Sequence, residues 1–199
     1  FKYLKSNPVH SVQWAMGLEL LLLVKDTWKS IMTTDSPNGG PFVTYPKIIA
    51  WLMSQKARNQ TFSECHKWAG DRSDLAGVDR ELSLYDIAVL TRANPARSVG
   101  LAHRKGSLGV GADGDVAIYN IDPTRLEVTD HEKLIRSFQE AEYTIKDGEI
   151  VCQRGEIVAI PEKRTYYADV KVKGDGEKEM LADVNKLSLI HISEPTRPY

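Results

Sequence analysis

Asp35 is the residue whose type and position offer the clearest chemistry in this sequence. It follows residues 29–34, a short run rich in β-branched side chains that predicts a strand, and it precedes a loop of glycine and proline. In a (β/α)₈ barrel the reactive side chains lie where strands end. A carboxylate there can bind a metal ion and accept a proton from an attacking water. It can equally cap a turn through an Asx hydrogen bond, and the spacing leaves both interpretations open.

The loop after Asp35 offers a second candidate site. Residues 37–42 read PNGGPF, so Gly39 and Gly40 would let backbone N–H groups approach a ligand closely. A tight connection between two elements uses the same residue types, and without further context the sequence favours that interpretation.

Other potential motifs give weaker support for a functional site. Residues 109–114 match GxGxxG, but the pattern precedes a predicted strand and opens no helix, so we reject a dinucleotide site. The histidines are scattered and form neither HxH nor HExxH, which indicates structural or surface roles. His10, near the start of the first predicted helix, is the hardest of them to dismiss. Neither Cys65 nor Cys152 has a nearby base in the sequence, which gives nucleophilic catalysis by cysteine little support.

The elements that must position Asp35 are predicted as helices on either side of it. Apolar residues at three- and four-residue spacing predict a helix over residues 9–26. Pro46 suits the first turn of a second helix that runs to about Arg58. Residues 59–82 are mixed and polar, and they predict a loop with one short helix around His66 and Trp68.

Residues 83–100 predict two helices separated by a break. Ser83 followed by Asp86 resembles a capping arrangement at the start of the first. Pro95 is expected to break that helix, because it lacks a donor and its ring clashes with the preceding turn. Asn94 is then expected to be the N-cap of a further short helix, which Gly100 ends.

From Gly106 the pattern changes to β-structure. Asp147-Gly148 is a strong two-residue hairpin signal between two of the predicted strands. The predicted strands are residues 115–121, 142–146, 149–152, 157–160 and 166–173. The sequence therefore predicts helix–strand–helix elements first and a β-rich module second, with no internal repeat.

Composition narrows the class of protein. The chain has 199 residues, 42% of them hydrophobic and 27% charged, with a formal net charge of −1, which is ordinary for a soluble globular protein. Because no basic stripe or polybasic cluster stands out, we expect no nucleic acid and no membrane surface as a partner. The longest apolar run is too short to cross a bilayer. Two distant cysteines favour a reducing cytoplasm.

Both ends of the chain suggest a piece of a longer protein. The first residue is Phe1, not Met, as though something upstream were missing. Residues 187–199 read LSLIHISEPTRPY, which looks like the conceptual translation of a sequencing adapter, although a genuine terminal peptide is the alternative. We expect a chain truncated at both ends and leave these residues out of the fold prediction.

Several segments together resemble one family within the amidohydrolase superfamily, that of the A subunit of formylmethanofuran dehydrogenase. The most specific segment is TTDSPNGGPF at residues 33–42, followed by YPKIIAWLM at residues 45–53. Upstream, QWAMGLE at residues 13–19 fits as well. LTRANPAR at residues 90–97 and KGSLGVGADGD at residues 105–115 also match the general ending of the superfamily. The resemblance covers about residues 7–172.

The resemblance implies a fold of class α/β plus β. Residues 1–105 would be the C-terminal end of a metal-dependent hydrolase (β/α)₈ barrel, residues 106–175 part of a composite β-sandwich, and residues 176–199 a tail. The family site holds two zinc ions, bound by an HxH pair, a carboxylated lysine, further histidines and an aspartate after the last barrel strand. Only the aspartate can be assigned here, at Asp35, as metal ligand and proton shuttle. Asn38, Gly39 and Gly40 would bind substrate. Ser36 stands where many relatives have histidine, which puts in doubt any role that a histidine would play there.

The implied chemistry forms or hydrolyses the formamide of N-formylmethanofuran. In methanogenesis, the family's enzyme condenses formate with the amine of methanofuran, while a molybdenum or tungsten pterin in a partner subunit reduces carbon dioxide. In methylotrophic formaldehyde oxidation, the related protein works with a formyltransferase and releases formate. The implied partners are the other subunits of these complexes, the methanofuran-type carrier and formate. The 199-residue chain alone is expected to be inactive.

Two alternatives stay open. One is another cyclic-amidohydrolase-like enzyme, of the dihydroorotase or hydantoinase type, which residues 35–42 argue against and the β-rich module does not discriminate. The other is a non-catalytic subunit of a complex, in which Asp35 only caps a turn.

Overall fold

The computed structural model describes residues 4–162, 165–167, 171 and 174–187. The chain divides near residue 163 into two compact units. The predicted domain boundary near residue 106 stays a prediction.

The first helix, α1, covers Pro8–Leu23 and confirms the helix predicted over residues 9–26, with an end three residues earlier. Asn7 is its N-cap, and the Asn7 side chain accepts hydrogen bonds from the N–H groups of the next turn. Its buried face consists of Ser11, Ala15, Leu18 and Leu22.

The strand predicted at residues 29–34 is wrong as a hydrogen-bonded strand. A 3₁₀ turn covers Thr27–Lys29, and residues 30–35 then run without regular secondary structure. Alternate side chains are nevertheless buried, with Met32 and Thr34 inside and Ile31 and Asp35 outside, which is the period of a strand. No described strand runs beside this segment, so its backbone forms no ladder.

The single helix predicted from Pro46 to Arg58 is two helices, α2 at Tyr45–Met53 and α3 at Gln55–Ser63, after a 3₁₀ turn at Phe42–Thr44. Ser54 separates them: its backbone is extended, and its hydroxyl accepts a hydrogen bond from the Ala57 N–H. Helix α3 therefore continues into the segment predicted as loop. The short helix expected near His66 and Trp68 is present as α4, Trp68–Arg72, followed by a 3₁₀ turn at Leu75–Gly77.

The break predicted at Pro95 is also wrong. Helix α5 at Leu84–Ala88 continues through a π-helical turn at Val89–Ala93 into α6 at Asn94–Ser98. The capping arrangement of Ser83 and Asp86 is confirmed at the start of α5. Asn94 has helical dihedral angles and is not an N-cap, because its N–H already bonds the Val89 carbonyl. The wider π turn accommodates the missing proline donor without ending the helix.

Within the described residues, four antiparallel strands in the order β1-β2-β3-β4 confirm most of the β-rich prediction. They are β1 at Val116–Ile118, β2 at Tyr143–Lys146, β3 at Glu149–Gln153 and β4 at Glu156–Ile157. The hairpin turn at Asp147-Gly148 has positive φ at both residues, 52° and 85°, as the two-residue signal requires. The GxGxxG segment leads into β1 through turns and opens no helix.

Two helices of the described part of the chain were not predicted from the sequence. Helix α7 at His131–Gln139 lies between β1 and β2 in sequence, is capped by Asp130 and packs against α2, where Leu134 is fully buried. Helix α8 at Gly176–Leu187 lies in the second unit. The strand predicted at residues 166–173 falls mostly outside the described residues, as do residues 188–199 of the supposed adapter.

The core of the first unit lies between α1, α2, the π-helical turn and α7, around Leu22, Leu52, Leu90 and Leu134. Arg58 is fully buried beside it, and its guanidinium donates to the carbonyls of Trp51, Val78 and Arg80 at 2.8, 3.0 and 2.9 Å. Burial lowers the pKa of this guanidinium, against the opposing field of Glu81. Within the described ranges, no helix is long and apolar enough to cross a membrane.

Candidate functional site

The Asp35 side chain is exposed at the end of the segment that buries Met32 and Thr34. Its backbone has φ of 49°, the left-handed region that few residues other than glycine adopt. Its N–H donates to the Thr33 hydroxyl at 3.1 Å. Among the described residues, no donor reaches the Asp35 carboxylate, so this side chain forms no Asx cap. The carboxylate is therefore available to a ligand.

The turn after Asp35 closes through the backbone. The Gly39 N–H donates to the Asp35 carbonyl at 2.7 Å, and the Ser36–Pro37 peptide inside the turn is cis. A Cβ atom on Gly39 would lie 2.7 Å from the Thr34 carbonyl oxygen and 3.1 Å from the Asp35 Cβ. Only glycine fits this position without displacing the residue that carries the carboxylate.

The predicted substrate-binding residues lie in this same loop. Asn38 is exposed, and Gly40 is partly buried, with room for a Cβ at ordinary contact distance, 3.5 Å from the Thr44 hydroxyl. Thr44 donates to the Pro41 carbonyl at 2.7 Å and so closes the far side of the loop. No contact here tests substrate binding, and for these residues it stays a prediction.

Asp35 offers an oxygen donor of the kind zinc accepts. The buried Thr34 hydroxyl beside it has no hydrogen-bond partner within the described part of the chain. No group of three or more His, Cys, Asp or Glu side chains that could hold a metal ion occurs among the described residues. The described residues around Asp35 therefore fit a metal centre only to the extent that Asp35 supplies one ligand.

His10, His66 and Cys65 have surroundings that favour structural roles over catalytic ones. His10 Nδ1 accepts the Leu4 N–H at 3.1 Å, and His66 Nδ1 accepts the Trp68 N–H at 3.2 Å. Burial raises the pKa of the Cys65 thiol, which disfavours a thiolate nucleophile.

Asn94, which the sequence analysis did not assign to the site, contacts the segment that leads to Asp35. The Asn94 amide is buried and donates to the Ser30 carbonyl at 2.7 Å. The two residues are 64 positions apart, so no local pattern reveals the contact. The only sequence signal was the Asn94-Pro95 pair itself, which we interpreted as a helix start.

A charged cluster fixes the loop before β1 to the β2–β3 hairpin. Asp115 accepts from Lys105, from Lys146 at 2.7 Å and from the Asp147 N–H at 3.0 Å, while Lys105 also pairs with Asp113 at 2.7 Å. Burial opposes the charge on Asp115, but the hydrogen bonds from both lysines outweigh it and hold its pKa well below the usual range. Burial likewise opposes the charge on Lys105, yet hydrogen bonds to Asp113 and Asp115 raise its pKa.

Comparisons with known proteins give one consistent family. The sequence model of the Amidohydrolase family matches residues 3–152. The chain is 48% identical over 187 residues to the protein FwdA of Methanocaldococcus jannaschii, covering 94% of this chain and 32% of that protein. It is 40% identical over 178 residues to the A subunit of the formyltransferase/hydrolase complex Fhc of Methylorubrum extorquens, covering 89% and 31%.

A solved structure agrees with these relatives. The formyltransferase/hydrolase complex FhcABCD from Methylorubrum extorquens, in complex with methylofuran, matches with a TM-score of 0.75 and 38% identity. The match covers 94% of this chain and 32% of that chain. The chain thus spans about a third of the length of the relatives it matches.

Proposed function

This chain belongs to the amidohydrolase family, and from that premise we propose that it is part of a subunit that forms or hydrolyses the formamide of N-formylmethanofuran. We infer that residues 1–105 are the C-terminal end of its (β/α)₈ barrel and that the β1–β4 sheet is part of a composite β-sandwich. The proposed setting is a cytoplasmic complex with further subunits, one of which would hold any molybdenum or tungsten pterin.

The observation that carries this proposal is the available carboxylate of Asp35. It stands at the end of an extended, alternately buried segment, in a loop whose sequence is the most specific part of the resemblance. The buried Thr34 hydroxyl beside it has no partner among the described residues, which supports a site completed by further structure. A residue that only capped the turn would have its carboxylate engaged by backbone N–H groups.

Asp35 would hold a zinc centre together with ligands that the described residues do not supply. When bound, zinc polarises the formyl carbonyl and lowers the pKa of water toward neutrality. The Asp35 carboxylate would take the proton of the attacking water as the new C–O bond forms. It would then pass that proton to the amine nitrogen as the C–N bond breaks, giving formate and the free amine. The synthetic direction runs the same proton steps in reverse.

The loop would orient the carrier next to Asp35. Asn38 presents an amide, which can both donate to and accept from the formamide group. Gly39 and Gly40 would let that group approach the backbone.

Substitution of Asp35 by Asn in the complete subunit tests the proposal. Asn keeps the size of the side chain but accepts no proton, so we expect formate release from the formylated carrier to fall about 100-fold or more. The measurement is kcat, with zinc content determined on the same preparation.

Asp71→Asn is the matched control, because Asp71 is exposed on α4 and outside the proposed site. It should leave kcat unchanged. Undiminished activity of D35N would refute the catalytic assignment, and hydrolysis of dihydroorotate in place of the formylated carrier would refute the substrate class.

A further inference from the structure

In the π-helical turn before α6, the hydrogen-bond pattern leaves the Leu90 carbonyl without a donor from its own helix. The Asn94 N–H bonds the Val89 carbonyl, five residues back. In this pattern the Leu90 carbonyl would receive the N–H of residue 95, but Pro95 has none. The helix thus continues past Pro95 while the Leu90 carbonyl stays available to another segment.

That carbonyl is used by the segment that carries Asp35. The Met32 N–H donates to the Leu90 carbonyl at 3.1 Å. Met32 and Leu90 are both buried, 3% and 0% exposed, so this bond is shielded from water and holds the backbone three residues before Asp35.

Asn94 supplies a second connection to the same segment. Asn94 is 6% exposed, and its side-chain amide donates to the Ser30 carbonyl at 2.7 Å. The two bonds hold the segment at Ser30 and Met32, on either side of the exposed Ile31. They do so in place of the strand ladder that is missing in the described structure.

We propose that Asn94 and Pro95 are positioning residues for the Asp35 carboxylate. Pro95 keeps the Leu90 carbonyl available, Asn94 binds the Ser30 carbonyl, and together they set the position from which Asp35 enters its loop. The inference rests on the proposed function, because it assigns these residues to the same site.

Asn94→Asp in the complete subunit tests the first half. The aspartate is nearly isosteric, but its carboxylate faces the Ser30 carbonyl without a hydrogen to donate. We expect kcat to fall about 10-fold or more, with KM within about two-fold, because the carrier is still bound while Asp35 is misplaced. Asn59→Asp, an exposed position on α3, is the matched control and should change neither constant.

Pro95→Ala tests the role of Pro95, and it also keeps the proposal testable if N94D fails to fold. It supplies an N–H that competes with Met32 for the Leu90 carbonyl, while alanine favours the helix. We expect the Met32 amide to exchange its hydrogen about five-fold faster or more. Pro8→Ala is the control, since Pro8 stands at the first turn of α1, where the missing donor is unneeded.

The outcomes separate this inference from the proposed function. A folded N94D with wild-type kcat, or P95A with unchanged Met32 exchange, would overturn the positioning roles, even if D35N is inactive. Full activity of D35N would refute the proposed function, and the exchange of Met32 would still report whether the two residues hold the segment.

Discussion

Gly39 determines whether the loop can close against Asp35. The Gly39 backbone lies so close to the Thr34 carbonyl that a Cβ would come within 2.7 Å of its oxygen. Backbone atoms of a buried residue cannot move aside easily, and Thr34 is 8% exposed. The glycine that the sequence suggested for ligand approach therefore has a packing reason of its own.

Gly39→Ala is expected to lower the activity of the complete subunit strongly. The added methyl group must displace Thr34 or open the 2.7 Å bond between the Gly39 N–H and the Asp35 carbonyl, and either change moves the carboxylate. A misplacement of about 1 Å is enough for a loss of roughly 100-fold in kcat. Gly17→Ala is the control, because a Cβ there meets nothing within 4 Å, so it should leave kcat unchanged. Equal kcat for both variants would show that the loop adapts.

Among the elements, the β2–β3 hairpin is joined to the loop before β1 by the charged cluster around Asp115. Gly114 and Gly148 meet backbone to backbone, with the Gly148 N–H donating to the Gly114 carbonyl at 2.9 Å. Asp115 holds this contact through Lys146 and the Asp147 N–H. Because it is 29% exposed, its ion pairs are only partly screened by solvent.

Asp115→Asn should loosen the hairpin at neutral pH and much less in acid. The pKa of Asp115 is lower in the folded than in the unfolded chain, so its contribution is present above about pH 4, the unfolded pKa, and is lost as the pH falls below it. We expect about 1 kcal/mol at pH 7, measured as about five-fold faster exchange of the Gly148 amide. The difference in Gly148 exchange rate between D115N and the wild type should become smaller by about pH 2. Asp79→Asn, at an exposed position, is the control and should not change the exchange of the Gly148 amide. An effect of D115N that does not depend on pH would contradict the ionic explanation.

The same elements show how far sequence reasoning reaches. The hairpin was predictable because Asp147-Gly148 acts through neighbouring residues alone. The break at Ser54 and the continuous helix through Pro95 were not, since tertiary contacts decide both. At the break after Ser54, the Gln55 N–H donates to the Glu81 carboxylate at 2.6 Å, 26 positions away. The carbonyl that Pro95 leaves available is taken by Met32, far away in sequence. For the proposed site, residue type and loop chemistry made Asp35 the candidate, and that assignment stays a prediction. The contact of Asn94 with Ser30 could not be predicted, because it requires the folded chain.

On the scale of the whole molecule, the part of the chain that the structure describes does not complete the proposed site. Residues 30–35 bury alternate side chains like a strand, yet no described strand pairs with them. An unpaired segment of this kind exposes backbone groups that associate with other chains. The apolar surface left open on α1 includes Leu20 and Leu23, 62% and 57% exposed, and it adds to this tendency.

The 199-residue chain expressed alone should therefore be poorly soluble, inactive and unable to hold stoichiometric zinc. One carboxylate cannot replace the four or so ligands that a zinc ion requires, and no group of three candidate ligands occurs among the described residues. Under the proposed function, the complete subunit should retain about two zinc ions after dialysis against a weak chelator. Metal analysis and formate release, measured on both proteins, check this. A soluble preparation of the 199-residue chain that retains zinc and releases formate would contradict this prediction. In that case, the other zinc ligands would have to come from this chain alone.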